Sequence, residues 1–85
     1  MAYFAKMNNG LVENVIYIEN INVNNLDFPD SEPIGQTFIA SCNIDGDYLQ
    51  TSYNGNFRGC YAGIGYTYNA ALGEYGEFIP PTVQP

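Results

Sequence analysis

At 85 residues the chain has room for one domain, and a chain of this length buries only about 60% of the surface that its unfolded form exposes. Hydrophobic residues at 46% against 13% charged exclude a disordered chain, while nine carboxylates against only Lys6 and Arg58 (formal net charge −7) exclude the clustered cations that bind phosphate backbones and anionic membranes. Eight Tyr, five Phe and nine Gly, beside many Asn, favour short strands and turns over helices.

Ala2 to Met7 predicts a strand, Asn8-Asn9-Gly10 a tight turn, and Leu11 to Glu19 the returning strand, because Asn and Gly accept the positive φ of hairpin turns. By simple alternation Val12, Ile16 and Ile18 share one face of the return strand and Leu11, Val15 and Tyr17 the other, so both faces are expected to be covered. Asn20 to Asn25 reads as a polar connection. Phe28 to Pro33 then supplies an Asp or Ser cap, acids and an early proline, which predicts a helix to about Ser41 with Ile34, Phe38, Ile39 and Cys42 as its apolar stripe.

Asn43 to Asp47 reads as a loop, Tyr48 to Tyr53 as a strand and Asn54-Gly55-Asn56 as a turn. Tyr61 to Tyr68 alternates, which predicts a strand with Ala62, Ile64, Tyr66 and Tyr68 facing the core and a flat glycine face outside. Asn69 to Gly76 turns the chain, Glu77 to Ile79 forms a last short strand, and Pro80-Pro81 ends the pairing because proline lacks an amide donor. The expected fold is α+β and mostly β, a small antiparallel sheet in the order β-β-α-β-β-β with one short helix packed on it. Residues 1–79 form the single domain and residues 80–85 a Pro-rich tail.

The chain contains no histidine, so nucleophile–histidine arrangements are excluded, and the carboxylate pairs Asp45/Asp47 and Glu74/Glu77 sit in turns that do not tune a catalytic pKa. The expectation is a protein that is not an enzyme and needs no cofactor or metal. Aligning Gly46 with the sixth position of a calcium-binding helix–loop–helix puts Ser52 where a bidentate Glu belongs, and Gly63-Ile64-Gly65 lacks the spacing and setting of a dinucleotide fingerprint. No segment reads as a membrane span or a signal peptide, so the chain is expected in the cytosol when made, with Cys42 and Cys60 as free thiols. Tyr3, Tyr48, Tyr53, Tyr61, Tyr66 and Tyr68 are candidate interface anchors, about half of them expected in the core. Tyr61, Gly63, Gly65 and Thr67 present the flat outer face as a candidate contact surface, with Arg58 just before it to pair with an acidic group on a partner.

The opening Met1 to Lys6 with Leu11 to Ile16, the stretch Gln50 to Arg58, the Gly-rich run Tyr61 to Tyr68 and Phe78-Ile79-Pro80-Pro81 resemble small virion structural proteins of tailed phages of marine cyanobacteria. The resemblance covers somewhat over half of the chain and departs from it at Asn20 to Asp47, at Cys60, and in lacking a Trp-containing extension after the prolines. It implies a virion protein assembled in the host bacterial cytoplasm. Its partners would be the major capsid protein or tail proteins, at many copies per particle, with neither nucleic acid nor membrane as a ligand. Without heptads or repeats from which to build a long appendage, capsid decoration is the leading expectation and a tail or fibre component involved in host attachment the alternative. A glycan or receptor binder is a third, suggested by exposed Tyr and Asn.

Overall fold

The computed structural model describes residues 1–82, and the hairpin expected at the start of the chain lies at the heart of its sheet. Strands β1 (Ala2–Asn8) and β2 (Leu11–Ile18) pair antiparallel around Asn9-Gly10, whose φ values of 53° and 81° meet the demand of a two-residue hairpin loop. Helix α1 (Ser31–Ser41), β3 (Asp47–Thr51), β4 (Thr67–Asn69) and β5 (Glu77–Ile79) follow. The strands form one antiparallel sheet in the order β3-β1-β2-β4-β5, so the expected β-β-α-β-β-β succession and the α+β class are those observed.

A bulge corrects the expected faces of β2. Asn14 lies opposite Lys6 but Val12 lies opposite Met7, which leaves Glu13 as an extra residue and inverts the alternation beyond it. Val12 therefore joins Ala5, Ala62 and Phe78 in one core, with Val15, Leu49, Tyr66 and Tyr68 around it. Ile16 and Ile18 remain on the opposite face, where Ala2, Phe4, Val23, Ile39 and Tyr48 pack together under α1. Two small cores, one on each side of the sheet, hold the domain.

Helix α1 is rotated by one residue from its expected stripe. Ser31, Gly35 and Ile39 are its buried residues, whereas Ile34 and Phe38 are half-buried and Cys42 is exposed. The cause is Phe4, fully buried, whose ring lies against the helix at Gly35; a Cβ there would overlap it, with Cε1 at 2.8 Å. Asp30 occupies the cap position without a side-chain cap bond, and the buried Ser31 hydroxyl donates instead to Gln50 Oε1 at 2.6 Å. The Asn-rich connection contains a 3₁₀ turn (Asn20–Val23) that buries Val23, followed by Asn24 and Asn25 at positive φ.

The long strand expected at Tyr61 to Tyr68 is not formed. Only Thr67–Asn69 is strand, and residues 61–66 run irregularly into a turn in which the Tyr66 amide donates to Gly63 O at 3.1 Å. Gly65 has φ 90°, the conformation a type II turn requires at its third residue, so the glycines that suggested a flat strand face bend the chain instead. Ile64, expected in the core, stands at the turn tip with 72% of its surface exposed. β3 likewise ends at Thr51, before Tyr53. Residues 80–82 follow β5 without helix or strand, and the last three residues of the expected Pro-rich tail, 83–85, lie outside the described part.

Candidate protein-docking face

Arg58, expected to reach a partner, is instead the hinge pin of the fold. It is 9% exposed, sits at φ 57°, and directs its guanidinium inward between the rings of Phe28 and Tyr68, 5.0 and 5.5 Å from their centroids. Both terminal nitrogens engage the Glu32 carboxylate of α1, Nη1 also donates to Gln50 O at 2.9 Å, and Nε donates to Tyr75 O at 3.0 Å. A bidentate pair with further carbonyl acceptors is the arrangement in which a buried guanidinium is fully compensated.

The same region covers the outer edges of β3 and β5, whereas β2 beyond Val12 has no strand on its far side, since β4 pairs with it only at Leu11 opposite Thr67. On the free edge of β3, Gln36 donates to Tyr48 O at 2.6 Å, the Gln50 amide donates to Glu32 Oε2 at 2.8 Å, and Arg58 covers Gln50 O. On the free edge of β5, the Phe78 amide donates to Arg58 O at 3.0 Å and the Cys60 thiol donates to Phe78 O at 3.3 Å. Side chains and one short segment thus occupy the backbone groups by which an exposed edge recruits another strand.

The other expected contact residues do not share a flat plane. Thr67 and Gly65 are exposed, Gly63 is half-buried with the Tyr66 ring 3.0 Å from where its Cβ would stand, and Tyr61 turns away into an aromatic cluster. That cluster is the feature of the surface. Tyr3 lies at its centre, 6.2 Å from Tyr17, 5.5 Å from a stacked Tyr53 and 5.6 Å from an edge-on Tyr61, with Tyr53 and Tyr61 5.2 Å apart. Tyr17 and Tyr53 remain 59% and 63% exposed, while Tyr3 and Tyr61 are half-buried beneath them. Burial, with Tyr3 and Tyr53 adding like-charge repulsion, pushes the Tyr61 phenol above its ordinary pKa.

Of the tyrosines named from the sequence, Tyr3, Tyr53 and Tyr61 belong to this cluster, Tyr48 is core, and Tyr66 and Tyr68 pack beside the second core. Tyr17 was missed. A regular two-residue hairpin sets Asn8 opposite Leu11 and would bring Ile16 opposite Tyr3; the extra residue at Glu13 moves Tyr17 there instead. The signal was the bulge, which a pattern of apolar and polar residues does not mark.

Between the 3₁₀ turn and the loop after β3, a cleft of about 370 Å³ adjoins the cluster, walled by Tyr3, Tyr53, Asp27, Asn54, Asn56 and other residues. Among the described residues both side-chain cations are held within the molecule, Arg58 by Glu32 and Lys6 by Glu13 at 3.3 Å, so the surface carries acids with little to balance them. No group of three or more acids or cysteines among the described residues is placed to hold a metal ion, and no helix there is long and apolar enough to cross a membrane. Cys42 and Cys60 are free thiols, Cys42 exposed just after α1. No protein-family model, curated protein or solved structure matches this chain.

Proposed function

We propose that this chain is a virion structural protein of a tailed bacteriophage that decorates the capsid and acts by protein contact rather than by turnover. The observation that carries the docking part of the reading is the exposed cluster of Tyr3, Tyr17, Tyr53 and Tyr61. Each ring offers a large rigid contact area and a hydroxyl, the combination enriched at protein interfaces. The covered outer edges of β3 and β5 support face-to-face docking over strand addition there, and a net charge of −7 with both side-chain cations held internally suits a basic partner surface. The virion part rests on the resemblance of Gln50 to Arg58, Tyr61 to Tyr68 and Phe78 to Pro81 to small phage structural proteins.

Quantitative mass spectrometry of purified particles tests it. The expected result is a copy number of the same order as that of the major capsid protein. A handful of copies per particle would replace decoration by a tail role, and absence from particles would overturn the virion reading altogether.

A further inference from the structure

The molecule already contains one arginine site built from aromatic rings and a carboxylate. Arg58 lies between Phe28 and Tyr68 and is gripped by Glu32. The cleft beside the tyrosine cluster has the same kinds of parts with no side-chain cation among them, Met1 with its α-amino group being the one residue in the lining that carries a positive charge. Its walls include Tyr53, whose ring stacks on Tyr3 yet leaves most of its own surface free, and Asp27, the one charged side chain in the lining. Asn20, Asn54 and Asn56 add amide oxygens, while Asp27 itself is exposed. A guanidinium can stack on an aromatic face while its N–H groups meet a carboxylate and carbonyl oxygens in its own plane. The unbalanced acidity of the whole surface favours the approach of such a group from outside.

We propose that this cleft is a binding site for an arginine side chain presented by a basic segment of the partner protein, stacked on Tyr53 and paired with Asp27. The proposal rests on the tyrosine cluster being the docking face and adds the chemistry that the partner must supply. A second copy of this chain is a poor occupant. Its own arginine is buried, its lysine is paired, and two copies at −7 each repel.

The test is an amide-resolved NMR titration of the full chain with acetyl-Gly-Arg-Gly-amide. Parallel titrations use the lysine and citrulline analogues and a neutral oligosaccharide. Shifts are expected at Tyr3, Asp27, Tyr53 and Asn54 with the arginine peptide, with binding about tenfold weaker for Asp27→Asn and for Tyr53→Ser and weaker again for citrulline. Lysine, lacking the planar fork, should bind more weakly than arginine. The proposal is overturned if citrulline binds as well as arginine, if the shifts spread evenly over the acidic surface, or if only the oligosaccharide shifts the cleft. Those results would leave the capsid assignment standing, since copy number in particles is read independently of this cleft.

Discussion

Two aromatic clusters in this small domain are assembled from similar residues and have opposite characters. Around Arg58, the rings of Phe28 and Tyr68 flank a cation, with Phe57 stacked on Phe28 at 3.9 Å and Tyr75 edge-on to Phe28 at 4.9 Å. Around Tyr3, the rings of Tyr17, Tyr53 and Tyr61 enclose nothing but one another and face solvent. The difference is a charge with its partner. Where the chain supplies an arginine and a glutamate, aromatic residues become structure; where it supplies neither, they remain surface available to another molecule.

Removing the charge should break the first cluster. Arg58→Met leaves the largely buried Glu32 carboxylate without its counter-charge, with only the Gln50 amide donating to it, and should cost about 3–5 kcal/mol in urea denaturation, part of it recovered when Glu32→Leu is added. A loss below about 1 kcal/mol would mean that the guanidinium does not hold α1 to the sheet. Gly35→Ala probes the neighbouring contact beneath α1. Helix propensity alone would gain up to about 1 kcal/mol, but the new methyl meets the Phe4 ring, so a net loss of about 1–3 kcal/mol is expected, relieved by Phe4→Leu. A stabilised Gly35→Ala would show that the ring has room to move.

The sequence made the first cluster look like surface and left the second half-seen. Arg58 stands beside a Gly-rich run and resembles a loop cation; that it turns inward depends on Glu32, 26 residues earlier in the chain, a pairing that no local pattern carries. The hairpin, the helix and the last strand were legible, because turn chemistry and apolar spacing are local. The stripe of α1 was off by one residue because a glycine, which adds no apolar surface of its own, was the position into which Phe4 packs. The Tyr61 to Tyr68 alternation misled for a related reason. Gly65 was counted as one face of a strand, whereas its φ of 90° makes a turn, and the pairing it supports, Gly65 N to Val12 O at 2.9 Å and Val12 N to Tyr66 O at 2.7 Å, is a continuation of β4 rather than a separate long strand.

The second cluster should prove nearly independent of stability. As pH rises, it contributes one weak dependence through Tyr61, whose folded pKa is raised above the ordinary 10.0. The stabilisation is complete below that ordinary value and is lost as pH climbs through the raised folded value, so Tyr61→Phe should flatten the alkaline limb of the stability curve. An unchanged limb would mean that burial at Tyr61 is relieved in solution. Tyr53→Ser removes a stacked ring and should cost no more than about 1.5 kcal/mol. Tyr17→Ser, more than half exposed, should change stability by about 0.5 kcal/mol or less. A cooperative collapse on either substitution would make the tyrosines core rather than contact surface.

The central claim, that this molecule docks through the open tyrosine cluster and not through a strand edge, is tested most directly by a reconstruction of the assembled particle at side-chain resolution. The account predicts density for this domain on the capsid with Tyr3, Tyr17, Tyr53 and Tyr61 covered by a basic segment of the shell protein and with Arg58 still inside its own fold. A strand of the partner continuing the sheet from β3 or β5, with the four tyrosines left bare to solvent, would contradict it.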